Sequence, residues 1–333
     1  MQQATSLMLV VLALLLIKLS EAGKINCILT TPYKKNIRFH LSNDELLVNT
    51  LYDGVNLVID KHDPYISYVI SQIGTWEPDS IQMMARFVKP GDTIVNLGTH
   101  IGIELVVLGQ IAGPTGRLYG VEPGFVNFRI LQKNIFINKL HNITMLYNMA
   151  VSDREEKGFL FVDLNNTGCN EVYTEETIKE RGIDNIFNEN IRIEPIKINK
   201  VDNILPKDLK VDFILMDVQL LEVETLDGMR ELIARSTDLI IYTEWVAISI
   251  KLPKKEYDIR LRNLLTWLVE HKFKFYKMGF VDGFRSSGGA CEKAPLIEMS
   301  MKELIDFGNY LNSKKNFVDI IIASGHIDLN KYE

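Results

Sequence analysis

The stretch PGDTIVNLGTHIGIELVVLGQIAGPTGRLYGVEP, residues 90–123, decides the fold of this chain. It opens with a short apolar run containing β-branched residues, 93–97, the pattern of a parallel strand buried on both faces. Gly98 and Gly102 bracket a tight turn, where missing side chains let a ligand come close to the backbone. Residues 103–111 are apolar and long enough for a helix, which Ala112-Gly113-Pro114 stops. A second strand over 117–121 ends on Glu122-Pro123. A β-α-β unit with an acid after its second strand is suited to a nucleoside: the turn takes one end, and the carboxylate takes the ribose hydroxyls.

The turn is G-x-x-x-G, not the G-x-G-x-x-G of dinucleotide enzymes, and no G-x-x-x-x-G-K-[ST] occurs. Without a diphosphate cradle, a nucleoside lacking phosphates is favoured, S-adenosylmethionine foremost. The plainer alternative is an α/β turn that simply needs two glycines, and the placement of Glu122 weighs towards the nucleoside.

The chain has 333 residues, enough for one large α/β domain with an appendage or two small domains. Hydrophobic residues at 47% and charged residues at 24% fall in the globular range, and a net charge of −6 gives no electrostatic case for a nucleic-acid partner. Residues 7–17 are unbroken apolar sequence, too short for a comfortable membrane span. With Ser20 and Ala22 at the −3 and −1 positions, residues 1–22 read as a signal peptide. The leader's first residues carry no Lys or Arg, so an uncleaved anchor is the alternative, and membrane contact follows only from that. The expected location is the secretory pathway, either secreted or in the ER or Golgi lumen, and the sequons at Asn142 and Asn165 agree with it. Cys27, Cys169 and Cys291 form no C-x-x-C pair, so no metal site is expected and the disulfide pairing stays open.

Residues 23–77 read as a β-rich extension with strands at 37–41 and 55–59, and 78–333 as the main domain. A helix over 79–88 follows Trp76 and Glu77, which either wall a pocket or only staple and cap that helix. Beyond the opening stretch the pattern predicts a helix at 124–138, strands at 142–147, 159–162 and 191–198, and a loop or short helix at 164–190. DFILMDV, 212–218, is a buried strand ending on Asp217. A helix at 221–233, a strand at 239–242 closed by Glu244, a helix at 257–271, strands at 273–280 and 317–323, and a helix at 301–311 complete the chain, with a glycine-rich loop at 283–295. Strands alternating with helices predict an α/β fold: about seven strands, mostly parallel, with helices on both faces. Its ligand site lies beyond the C-terminal strand ends, at residues 98–102, Glu122, 148–150, Asp217 and Glu244.

These pieces, in this order, resemble the FkbM family of S-adenosylmethionine-dependent methyltransferases. WEPDS, PGDTIVNLGTHIGIE, GRLYGVEP with Asn127, Asn134 and Asn138, then AVSD, Val201-Asp202 and VDFILMDVQLLEVETLDGM each match a family segment over about residues 74–245. The resemblance implies a Rossmann-like, class I methyltransferase domain that methylates a hydroxyl of a small molecule, glycan or lipid. The cofactor site is then Glu77, Asn96, Gly98, Thr99, His100, Gly102, Glu122 and Ala150, and Asp217, at the strand end where the methyl should point, is the first catalytic candidate, as base or positioning group, with Glu222 and Glu244 next. Asn96 replaces the family's strand-end Asp, Thr99-His100 its Ala-Asn, and Gln219-Leu220 its Glu-Gly. An amide offers no charge to a cationic cofactor. The second reading is therefore a secreted binding protein that keeps the fold without the chemistry. A dehydrogenase ranks third, for want of the diphosphate fingerprint. The acceptor's wall is expected from 23–77 and 283–295; the sequence names neither the acceptor nor the oligomeric state.

Overall fold

The computed structural model describes residues 38–181, 189–245, 254–278, 295–313 and 318–332. The leader, Cys27, Cys291 and residues 283–294 of the glycine-rich loop lie outside these segments. The described extension is an antiparallel sheet of β1 (Arg38–His40), β2 (Glu45–Asn49) and β3 (Asn56–Asp60), followed by helix α1 (Ile66–Ile73). β2 and α1 were not expected from the sequence. Two of the four buried positions of α1 are Ser67 and Ser71, which hide its apolar period. Helix α2 (Pro78–Phe87) starts with proline in its first turn, where the missing N–H costs nothing, and buries Ile81, Met84 and Phe87.

The opening β-α-β unit forms as expected: β4 (Thr93–Leu97), α3 (Ile103–Ala112) and β5 (Arg117–Val121), then α4 (Phe125–Ile137) and β6 (Thr144–Tyr147). A second, four-stranded sheet follows, made of β7 (Ala150–Val151), β8 (Glu156–Asp163), β9 (Glu171–Tyr173) and β10 (Ile191–Asn199), with α5 (Glu175–Arg181) between the last two. The span read as a loop or short helix thus holds a hairpin strand as well as a helix. After the short α6 (Val201–Ile204) and β11 (Phe213–Met216), the single helix expected over 221–233 is two, α7 (Glu222–Asp227) and α8 (Arg230–Arg235). The break falls at Gly228, where a Cβ would lie 2.0 Å from the Ser152 carbonyl oxygen, so only glycine lets the two backbones meet. β12 (Ile240–Trp245), α9 (Lys254–Glu270), β13 (Phe273–Met278), β14 (Leu296–Met299), α10 (Met301–Ser313) and β15 (Val318–Ser324) complete the order.

The main sheet has eight strands in the order β14-β13-β15-β12-β11-β4-β5-β6. β4, β5, β6, β11 and β12 are parallel, and β15 enters antiparallel between β12 and β13. β14, at the edge, is the strand beyond the seven expected. In order of appearance the strands from β6 to β12 run third, second, first, fourth, fifth, as in doubly wound folds. The order therefore reverses between β4 and β11, and a crevice opens beyond their C-terminal ends. Both faces are covered. Ile94, Phe213, Leu215 and Ile240 pack with α2, α3 and α4 through Ile81, Leu105 and Leu131. Val95, Leu97, Ile214 and Ile241 pack with α7 to α10 through Leu226, Leu232, Leu264 and Leu304.

The extension shares this core, since Val48, Leu57 and Ile70 belong to the same buried cluster as Ile94 and Leu105. Two asparagines on α4 also bind it. Asn134 Oδ1 accepts the Val58 N–H at 2.6 Å, and its Nδ2 donates to the carbonyls of Val58 (3.0 Å) and Ile101 (2.8 Å). One turn later Asn138 Oδ1 accepts the Asn56 N–H at 3.0 Å, and its Nδ2 donates to the Asn56 carbonyl at 2.7 Å. The free edge of β3 is paired by side chains.

Candidate functional site

A cavity of about 820 Å³ occupies the crevice at the strand reversal. Its floor is the ends of β4, β5, β11 and β12, its sides are residues 65–77 and the β8–β9 loop, and Ala150 reaches it from β7. The β8–β9 loop, residues 166–170, is a wall that the sequence did not reveal. Of the extension, Tyr65, Ile66, Trp76 and Glu77 line the cavity.

The β4–α3 turn is held by paired backbone bonds: the N–H groups of Gly98 and Thr99 both donate to the Val121 carbonyl, at 2.9 and 3.0 Å. Gly98 sits at φ +82, and a Cβ there would lie 1.7 Å from the Asp217 carbonyl oxygen. The glycine therefore serves first to let the β11 backbone approach, and only second to open space for a ligand. Gly102, at φ +90, leaves room for the Leu131 side chain of α4. Both still line the cavity.

Glu122 points back into this turn. Its Oε2 accepts the His100 N–H at 2.9 Å and its Oε1 the Gly124 N–H at 2.8 Å. It is 4% exposed, and burial pushes its carboxyl up to about 7 despite these donors. The Asn127 side chain is a third donor, which leaves the carboxylate acceptor capacity for a further donor from the cavity. His100 Nε2 pairs with the Thr167 hydroxyl at 3.0 Å, and burial lowers its pKa to about 4, so the ring is neutral near pH 7.

Two of the expected cofactor residues stand behind the wall. Asn96 is 1% exposed and shares the face of Ile94, and both polar atoms of its amide are buried without a hydrogen-bond partner. Thr99 is also buried, its hydroxyl donating to the Asn96 carbonyl at 2.9 Å. Neither lines the cavity, because the period of the strand and the tight turn direct them into the protein. Glu222, expected to be catalytic, is likewise buried behind the Val218–Leu221 segment, accepting the Val218 N–H at 3.3 Å.

Seven carboxylates line the cavity and no Lys or Arg does, among the described residues. Glu104 and Asp319 had not been singled out. Each had a signal: one acid in the first turn of an otherwise apolar helix, and one acid in a fully buried strand. Burial, with the charges of Glu77 and Asp217 adding, pushes the Glu104 carboxyl up to about 8. Asp319 accepts the Tyr242 hydroxyl at 2.9 Å and the Ser80 hydroxyl at 3.3 Å. Asp217 and Glu244 are both raised, by burial first and then by the acids around them, Glu244 more strongly. Asp217 is open to cavity solvent although protein crowds it on all sides, and Gln219 Nε2 donates to it at 2.6 Å, so its rise is the smaller. One oxygen each of Asp217, Glu222 and Glu244 falls within 4.8 Å of the others, a grouping able to hold a cation.

Backbone strain gathers here as well. Among the described residues, six that are not glycine have positive φ, and four of them, Glu77, His100, Gln219 and Leu220, line the cavity. Left-handed backbone at such residues costs of order 1–3 kcal/mol each and is found disproportionately at functional sites. Leu220 is at φ +71, a conformation that glycine adopts without strain.

No family model and no curated protein matches the chain. Solved structures are similar at low identity. TYW2 of M. jannaschii, in complex with AdoMet, is 13% identical, with 85% of this chain and 86% of that one covered, at a TM-score of 0.40. A SAM-dependent O-methyltransferase from Thermotoga maritima is 11% identical, with 88% and 87% covered, at 0.38. A precorrin-6y C5,15-methyltransferase from Geobacter metallireducens GS-15 is 11% identical, with 75% and 90% covered, at 0.36. Likenesses this distant carry no argument about activity; the fold assignment rests on the strand order.

Proposed function

We propose that the chain is an S-adenosylmethionine-dependent methyltransferase acting on a hydroxyl of a small molecule, glycan or lipid. The observation that carries this reading is Glu122. It is a buried carboxylate at the end of β5, lining the cavity beside the β4–α3 turn, where a ribose hydroxyl can reach it. The residues fit the rest of the cofactor: the volume suits a nucleoside-sized ligand, and an acidic lining without Lys or Arg suits a cationic one. Asn96 lies outside the cavity, so its amide removes no charge from it, and Glu104 supplies a carboxylate there. That weakens the binding-protein reading.

When bound, S-adenosylmethionine supplies a methyl group on a sulfonium, already activated for displacement. The chain's own task is to align the acceptor and take its proton. Rigid alignment contributes about 7–11 kcal/mol in favourable cases. Asp217 lines the cavity and ionises more readily than Glu244, so it is the base for the acceptor hydroxyl. Neutral His100 holds the β8–β9 loop through Thr167 and takes no part in proton transfer. The leader and the exposed Asn142 and Asn165 support a place in the secretory pathway. Intact mass of the purified protein reads cleavage and glycans together.

Calorimetric titration with S-adenosylmethionine tests the reading. The expected result is a Kd in the micromolar range, weakened at least about tenfold by Glu122→Ala. Absence of binding at about 1 mM cofactor rejects it, since that is weaker than about 4 kcal/mol of affinity.

A further inference from the structure

We propose that Asp217, Glu222 and Glu244 bind a divalent, oxygen-seeking cation at the cavity floor. The three come from separate elements, after β11, at the start of α7 and within β12, yet one oxygen of each lies within 4.8 Å of the others. Neighbouring acids alone are no argument for an ion. Glu222 is the independent observation. It is 1% exposed, one oxygen accepts the Val218 N–H at 3.3 Å, and the other is buried with no hydrogen-bond partner. A buried carboxylate oxygen without a donor is costly, and native proteins leave few of them.

The spacing suits an ion. No two of the three oxygens are more than 4.8 Å apart, which is compatible with the about 4.6–5.2 Å that separates oxygens on opposite sides of a Ca²⁺ with bonds of about 2.3–2.6 Å. Mg²⁺, with bonds of about 2.0–2.1 Å, holds its oxygens no more than about 4.2 Å apart, a tighter demand than that of Ca²⁺. An all-carboxylate donor set selects Ca²⁺, Mg²⁺ or Mn²⁺ over metals that seek sulfur or imidazole. Glu222 holds the ion from behind the wall, whereas Asp217 and Glu244 face the cavity, so the remaining coordination positions open towards whatever enters it.

The test reads the ion directly and does not depend on methyl transfer. The full chain, freed of metal by chelator, is titrated calorimetrically with CaCl₂, MgCl₂ and MnCl₂. The expected result is one ion per chain, Ca²⁺ with a Kd of about 10⁻⁵–10⁻³ M, weakened at least about tenfold by Asp217→Asn and by Glu244→Gln. Asp306→Asn, on α10 beside Lys302, leaves it unchanged. Failure of all three ions to bind by about 10 mM overturns the proposal, as does equal binding by a folded Asp217→Asn or Glu244→Gln chain. The unsubstituted chain gives a second reading. Tb³⁺ bound here takes excitation from Trp245, the residue next to Glu244, and Ca²⁺ displaces it; Tb³⁺ binding without sensitised emission places the ion elsewhere and overturns the site.

Discussion

Glu104→Gln should make the ligand-free protein more stable while weakening its hold on a cationic ligand. The Glu104 carboxyl is raised from 4.5 to about 8 by burial and by the charges of Glu77 and Asp217. Between those two values the folded chain holds more protons than the unfolded chain, so stability falls as pH rises through this window and the penalty is complete above about 8. At about 1.4 kcal/mol per unit, the full penalty approaches 5 kcal/mol, and at pH 7 it is about 3. Water in the cavity screens it, so about 1.5–3 kcal/mol is expected at neutral pH, or roughly 2–4 °C in Tm for a chain of this length. Glutamine keeps the shape and never ionises. Scanning calorimetry of both proteins from pH 5 to 9 should show curves that meet near pH 5 and diverge upwards, the variant being the more stable. At pH 7.5 the same substitution should weaken S-adenosylmethionine binding. Two melting profiles that stay parallel across the range would refute the reasoning, since Glu104 would then carry no buried charge.

Gly98→Ala forces a Cβ to 1.7 Å from the Asp217 carbonyl at a positive φ, and should cost about 3 kcal/mol or more in urea unfolding; a loss under about 1 kcal/mol would contradict the packed turn. Asn134→Ala strands both backbone groups of Val58 and the Ile101 carbonyl, and should cost about 2–4 kcal/mol by the same measurement. Assayed with chelator present, Asp217→Asn should lower methyl-transfer turnover by about 10²–10⁴ and remove the acid limb of the pH–rate profile, which lies above the ordinary carboxylate range because burial raises this group. Turnover within threefold of the parent would take the base role from Asp217.

The strands and turns nearest the site were the most readable part of the chain. β4, α3 and β5 follow directly from an apolar run, two glycines and a stop, and Glu122, Asp217 and Glu244 arrive at neighbouring strand ends because parallel strands all point one way. What could not be read was direction. Asn96, Thr99 and Glu222 belong to the same short segments as the cavity residues, and only the strand period and the left-handed turns decide which side chains turn inward. The short β9 and β14 carry too few residues for a period to stand out, β2 is half-buried along its length with no alternation, and α1 buries serines. Glu104 and Asp319 were visible as lone acids in apolar elements, yet an element's own pattern does not say that a cavity lies beside it.

The amide contacts between α4 and β3 amount to a matching of two rulers. Four residues of helix advance about 6.0 Å and two residues of strand about 6.8 Å, so Asn134 and Asn138 meet Val58 and Asn56 almost in step. A slide of one residue would present the strand's other side, whose polar groups face β2, so the next acceptable fit is two residues away. The helix therefore sets the position of the extension as a vernier sets a scale. The same helix begins at the residue after Gly124, whose N–H holds Glu122, so one rigid rod gauges both the Trp76–Glu77 wall and the carboxylate opposite.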